Sequence, residues 1–364
     1  MQIDFHHGVT YVVARLAGFG HREAETIAYC AQYVDDATNG GVIEFTNQAM
    51  YSRIYSAHKG LDYRHFDKLS NHHVWIPFHF LPGNGGKRAG ENPQGSFIEK
   101  IICRSDSYVA KDMLLACIRG RNEPLGLHRL GITMHVYADT WAHEGFAGVN
   151  HVVNDVKALD DQDEPDPGFL ARLEDFFGDQ FDRAAGRFVG DSLPLGHGAA
   201  LSYPDRPYLR WRYRDSRGVT VVRDNPVRFV KAAQAMCIAM QRYMVGRVDA
   251  EVPGLSVHQR GKLGSLFETF KDTDGALRHR KWLEEIARGA FGFPPVRLAY
   301  KAKGVDSWKY QAIGTRRLID KKSDRFTYDP SFLGSDWKLF HDALEAHRFE
   351  IIKVILPRYG ICAA

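Results

Sequence analysis

Apolar residues recur at helical spacing along most of the chain, and this pattern predicts a mostly α protein. Val9–Ala17 is an apolar run followed by Gly18 and Gly20, a C-cap region. In the next segment Ala24, Ile27, Ala28, Ala31 and Val34 keep the spacing of one helix face, and the helix ends at Asp35-Asp36. Helical character resumes over Gly95–Arg119 and continues into Gly131–Gly145. Further helices are predicted over Ala171–Val189, over Asn225–Arg247 with a proline at its start, around Arg278–Arg288, and over Asp336–Leu356. Arg210–Val222 has strand-like residues around Ser216-Arg217-Gly218, which predicts a small β-hairpin. Residues 70–100 read as a long surface loop, often a functional lid, and residues 158–170 as an acidic, proline-containing linker. The architecture expected is a multi-helix bundle with a small β-hairpin and a C-terminal helical extension. Residues 1–248 are expected to form its core domain, and residues 249–364 a C-terminal helical region, either packed on that core or a separate domain.

One predicted helix carries chemistry. In Gly131–Gly145, His135, Asp139 and His143 follow at four-residue steps. Each step advances about 40° around a helix axis, so the three project as one stripe. Ile132, Met134, Val136, Ala138, Trp141 and Ala142 around them are apolar or small, so the helix is expected to be buried. Burying imidazoles and a carboxylate is costly unless they are paired or hold something. A borderline divalent metal such as zinc suits these ligands, and a metal-free polar cluster satisfies the same stretch.

The rest of the chain extends the stripe. There are 17 histidines, many in short polar-aromatic motifs. Asp4, His6 and His7 open the sequence, His79 lies in FHFLPG, and His197 in GHG. Asp35 and Asp36 fall where the helix dipole disfavours carboxylates, so they call for a compensating cation or a following cap. Asp4, His6, Asp35, Asp36, His79, His135, Asp139, His143 and His197 together suit a hydrolytic centre of two or three divalent ions, zinc first among them. In this reading Asp36 is the general base or an orienting group, and the other eight are ligands. Glu144 lies off the stripe, either as an acid or as a core-edge carboxylate. His72, His73, His128 and His151 read as hydrogen-bonded or exposed, and His341 and His347 as surface or interface positions on the closing helix.

Composition narrows the classes. The content is 44% hydrophobic and 25% charged with a net charge of +4, which is that of an ordinary globular chain. Arg206–Arg214 is the nearest approach to a nucleic-acid stripe; it is short and reads better as an edge strand with solvated charges. The five scattered cysteines exclude a disulfide framework and a thiolate zinc site. No window is long and apolar enough for a membrane span, and MQIDFHHG has no leader-like pattern, so the expected compartment is cytoplasmic. The partner expected is a small-molecule or phosphoester substrate.

DFHHGVTYVVARLAGF, AETIAYCAQYVDDAT, LHRLGITMHVYADTWAHEGFAG, LGHGAALSYPDRPYLRWRYRD and RDNPVRF resemble, in this order over roughly residues 1–245, a family of uncharacterised microbial proteins. That family has a D-x-H start, a QY-x-DD helix end, an H-x3-D-x3-H helix and a GH…PD segment, and it places an aromatic residue at the position of His7. More distantly, the H-x3-D motif is similar to that of the zinc-dependent phospholipase C and single-strand nuclease superfamily. The resemblance implies an all-α enzyme holding three zinc ions on several helices. The chain departs from that superfamily in three places. Met1 stands where the superfamily uses an N-terminal Trp, amine included, as a ligand; the step from Asp139 to His143 is shorter; and its H-x3-E pair is met only by His197 with Asp205. An HD-type phosphohydrolase is disfavoured, because the one His-Asp dipeptide, His341-Asp342, lies in the closing helix. A non-enzymatic protein with a structural His/Asp cluster is the alternative.

Overall fold

The helix bearing the stripe is buried on every side, and the bundle forms around it. In the computed structural model, which describes residues 1–57, 68–161, 196–321 and 323–363, the chain is mostly α. Asp4–Val9 winds as a π-helical turn into α1 (Thr10–Ala17), which stops at the left-handed Gly18. Helix α2 (His21–Asp36) follows, then the strands β1 (Gly41–Phe45) and β2 (Met50–Arg53). Helices α3 (Lys68–Phe78), α4 (Ile98–Ile101) and α5 (Tyr108–Arg119) lead to the central α6 (Gly126–Ala142). Leu130, Ile132, Met134, Val136, Tyr137, Ala138 and Trp141 of α6 are all buried. Gly131 lets α2 approach closely: a methyl group there would lie 2.5 Å from the Ile27 carbonyl oxygen. This contact sets the distance between the two helices that carry Asp35, His135 and Asp139.

Strand β3 (Lys157–Asp161) pairs with the predicted hairpin, β4 (Arg210–Arg214) and β5 (Thr220–Asp224), in the order β3-β4-β5. β4 is therefore the middle strand and not an edge. Trp211 and Tyr213 face inward while Arg212 and Arg214 are exposed, so the arginines solvate one face of a central strand. The expected linker over 158–170 begins as β3; its remainder from residue 162 and the helix predicted over 171–189 lie outside the described residues.

Helices α7 (Asn225–Val245), α8 (Val257–Thr269), α9 (Gly275–Ala287), α10 (Trp308–Ile313) and α11 (Asp336–Phe349) complete the bundle. β6 (Arg325–Phe326) pairs in parallel with β1, and α11 continues as a π-helical turn, Glu350–Ile355. The C-terminal region shares the core: Leu263, Phe267, Trp282, Ile351 and Leu356 belong to the same apolar cluster as Phe5, Val12, Met134 and Met236. A second apolar cluster joins Tyr29 and Tyr33 of α2 to Phe78, Trp308, Trp337 and Phe340.

The loop expected over residues 70–100 is corrected in part. Its first third is α3 and its exit, where Val74, Ile76, Phe78, Phe80 and Leu81 are buried. Pro77 and the following glycines masked the helix in the sequence. His341 and His347 are also buried, not at the surface; they face Ile54 O at 3.0 Å and Pro77 O at 3.0 Å. Among the described residues no helix is long and apolar enough to cross a membrane.

Candidate metal centre

Asp139, in the last turn of α6, is the hub of the cluster. Its Oδ2 lies 3.3 Å from His135 Nε2, 3.5 Å from His79 Nδ1 and 3.6 Å from His143 Nδ1. Its Oδ1 lies 3.2 Å from His6 Nε2 and 2.6 Å from the amino nitrogen of Met1. His143 forms the C-cap of α6, so the stripe bends away from the helix axis at its last member. His79 is delivered just past the end of α3. His6 comes from the π-helical turn and stacks on His135 with ring centres 3.8 Å apart. Asp35, at the end of α2, places Oδ1 3.8 Å from His79 and 3.9 Å from His135. Beyond His143 stands Asp205, 3.3 Å from His143 Nε2, 3.4 Å from His197 Nε2 and 3.1 Å from the Met1 nitrogen. Three sets of donors converge: His6 with Asp35 and His135, His79 with His135 and Asp139, and His143 with His197 and Asp205. Within each set the ligand atoms lie within 4.8 Å of one another.

Where the protons sit decides what these contacts mean. A carbonyl oxygen only accepts, so the ring nitrogen facing it carries the hydrogen. His135 Nδ1 donates to Ala31 O (2.7 Å), His79 Nε2 to Ser56 O (2.9 Å), His143 Nδ1 to His79 O (2.8 Å) and His197 Nδ1 to Leu201 O (2.7 Å). In the neutral ring the other nitrogen is then a lone pair. Those lone pairs face carboxylate oxygens at 3.3–3.5 Å, and His135 Nε2 faces His79 Nδ1 at 3.3 Å. Acceptor meets acceptor, an arrangement stable only with a proton or a cation between them. Both ring nitrogens of His6 and Asp139 Oδ2 are buried without a hydrogen-bond partner. Rings that give one N–H to a carbonyl and turn the other nitrogen inward have the form of metal-binding histidines. These buried His/Asp groups could hold a metal ion.

The electrostatics agree with neutral rings at His6 and His197, and point the other way at His79, where a proton on Nδ1 is favoured. Burial, with His135 and the Met1 amine beside it, pushes His6 well below the usual histidine range. Burial brings His197 down to about 4 despite Asp205. Burial also pushes Asp139 and Asp205 upward, but the histidines and the amine outweigh it and hold both carboxyls well below the usual range. The buried amine is lowered by desolvation, yet Asp139, Asp205 and Asp35 raise it to about 11. His79 moves up, because Asp139 and Asp35 outweigh its burial.

The structure thus brings together His6, Asp35, His79, His135, Asp139, His143 and His197 of the residues singled out in the sequence. It does not bring Asp4, whose Oδ2 accepts from Arg278 Nε at 2.6 Å. Asp36 is turned away and accepts from Tyr300 (2.6 Å) and Gln32 (3.1 Å) through Oδ2. His7 faces His279 at 2.9 Å, His128 faces Asp336 at 2.8 Å and His72 faces Ala363 O at 2.7 Å. Glu144 accepts from Arg228 and from Ser105. Sequence reasoning missed Asp205 as a member of the cluster, although the GH…PD segment carried its signal. The Met1 amine had a signal only through the distant resemblance. A cleft of about 560 Å³ opens over the centre, lined by Met1, Gln2, Gln32, Asp35, Arg206 and Asp274 among others. Asp35 is the member that meets solvent, with its side chain 32% exposed.

No curated protein and no solved structure matches the chain. A family of unknown function, DUF6765, matches residues 1–355, and the chain belongs to that family.

Proposed function

We propose that this protein is a metal-dependent hydrolase of phosphoester bonds, holding two or three divalent ions, zinc by the character of the donors. The observation that carries the proposal is the set of inward histidine lone pairs facing Asp139 and Asp205 with no proton assigned between them. One ion would be held by His143, His197 and Asp205; His135 has a single inward nitrogen and would serve one further ion, either with His6 and Asp35 or with His79 and Asp139. Once bound, such ions supply Lewis acidity and a water acidified toward neutral pH. The chain's own residues do the rest. The backbone carbonyls of Ala31, Ser56, His79 and Leu201 fix the rings, so little reorganisation is needed on binding. Asp35 faces the cleft, where an incoming ester meets the centre, and Arg206 on its rim offers a cation to an anionic group. Asp36, held by Tyr300 and Gln32, braces the end of α2 and fits the orienting role better than proton transfer. The Met1 amine lies 2.6 Å from Asp139 and 3.1 Å from Asp205.

One observation favours a second reading. The same amine brings protons to Asp139 and Asp205, so part of the negative charge is balanced without an ion. A purely structural polar cluster would then suffice. Metal analysis by mass spectrometry, on protein purified without chelator, separates the two readings. Two or three equivalents of a divalent metal, with chelator-sensitive hydrolysis of a phosphomonoester and phosphodiester panel, are expected. Metal-free protein that takes up no zinc on titration sinks the hydrolase.

A further inference from the structure

The segment that delivers His6 is gripped by a helix 274 residues away in the chain. Arg278, on α9, is fully buried, and its guanidinium spends its donors on that segment and on the turn before α9. Nε donates to Asp4 Oδ2 (2.6 Å), and Nη2 donates to Gln2 Oε1 (2.5 Å) and Asp4 Oδ1 (3.3 Å). Nη1 donates to the Asp272 and Thr273 carbonyls at 2.5 and 3.1 Å. The next residue, His279, faces His7 across 2.9 Å. One turn on, Trp282 packs so tightly on Gly8 that a methyl group there would lie 3.0 Å from Trp282 Cβ. Consecutive residues of α9 thus seize the neighbours of His6 on both sides. His6 itself touches none of these anchors and turns to Asp139 and His135. The π-helical winding of Asp4–Val9 lets His6 and His7 point to different partners.

We infer that Arg278 and His279 are positioning residues that present His6 to the His6–Asp35–His135 group, so that the C-terminal third of the chain completes the metal centre. The inference rests on the metal reading given above. A guanidinium fork suits this task, because two of its nitrogens clamp Asp4 while the third is anchored to backbone carbonyls. Asp4 is then part of the clamp and not a ligand.

The test is a zinc titration of the full chain against a chromophoric chelator, run beside side-chain ¹⁵N spectra of the histidines. Asp4→Asn and Arg278→Lys are expected to weaken one zinc equivalent by about 10–100-fold, as loss of outer supports does elsewhere, and to leave the others in place. The His6 resonances move and those of His197 stay. Gln2→Ala removes a single acceptor and serves where the stronger changes prevent folding. Lys309→Met, in a distant buried ion cluster, lowers stability without touching the zinc isotherm, which controls for general destabilisation. Folded variants with a wild-type isotherm and unmoved His6 signals overturn the inference. If the wild-type chain itself takes up no zinc, the hydrolase reading fails, and the His6 signals alone decide whether α9 positions that ring.

Discussion

Two aspartates, the buried Asp139 and the largely covered Asp320, sit in surroundings of opposite character. Asp320 lies against Lys309 Nζ and 2.6 Å from Arg53 Nη1, and all three side chains are less than a tenth exposed. One carboxylate there meets two cations, and each close approach has a proton-bearing nitrogen on one side. Around Asp139 three carboxylates, with Asp35 and Asp205, share one amine, and the histidines turn lone pairs toward them. Buried charge alone therefore does not mark a functional site, because a compensated pair such as that at Asp320 is a structural feature. The mark is buried acceptors that face one another. An ion could supply the missing partner in one place and would be superfluous in the other.

The largest effect expected is on metal retention. Asp139→Asn removes a charged donor that approaches four histidines, and metal affinity is expected to fall by about 100-fold or more, beyond the range seen for outer supports. Asp320→Asn leaves metal content unchanged. Elemental analysis of both variants after dialysis checks this, and full metal retention by Asp139→Asn would break the comparison. Stability should show the reverse emphasis at Asp320. Its loss leaves Lys309 and Arg53 buried without a counter-charge, at a cost of about 3–5 kcal/mol in urea unfolding. A cost under about 1 kcal/mol would mean that water reaches the pair.

The two clusters also differ in how much of them the sequence discloses. The α6 stripe is legible because its members are local, at i, i+4 and i+8, and its apolar flanks announce burial. His79 and His197 stand out by their aromatic or glycine surroundings. Asp4 and Asp35 look alike in sequence, each an aspartate at the edge of a predicted helix. Only the fold separates them, since Arg278 claims the first from 274 residues away. Asp205 is hinted at only by His197 eight residues before it, because its other partners arrive from the end of α6 and from the N-terminus. The helical class is legible from periodicity, whereas α3 is hidden by Pro77, and β1, β2 and β6 have strands too short for a pattern. The Arg53–Lys309–Asp320 cluster has no sequence signature, being three isolated residues joined only by tertiary packing.

Acid titration sharpens the contrast on the Asp320 side. His341 donates to Ile54 O beside Arg53 and Lys309; burial first, then those cations, bring its folded pKa down to about 3. In the unfolded chain the ring titrates near 6.5. As pH falls from 6.5 toward 3, the unfolded state takes up a proton that the folded state refuses. Stability present above pH 6.5 is therefore lost, by at most about 1.4 kcal/mol per pH unit. His341→Gln keeps a donor for the carbonyl and should flatten this slope by about that amount. An unchanged slope would show that His341 is already protonated in the fold.

The smallest effect is expected at Glu144, and it tests whether adjacency to a ligand is enough to confer a role. Glu144 follows His143 directly, yet it accepts from Arg228 and Ser105 on the far side of the chain. Burial raises its carboxyl, but Arg228 outweighs that and holds it below the usual range. The pair is partly exposed, with 22% and 30% of the two side chains accessible, so its loss should cost about 1 kcal/mol or less. The end of α6 stays anchored without it, because Arg223 donates to the Ala142 and Glu144 carbonyls and Arg228 to that of Trp141. Glu144→Gln should thus keep wild-type metal content and hydrolysis. A tenfold loss of either would extend the uncompensated cluster past His143 into the ion-paired surface, and the line drawn between the two kinds of buried charge would have to move with it.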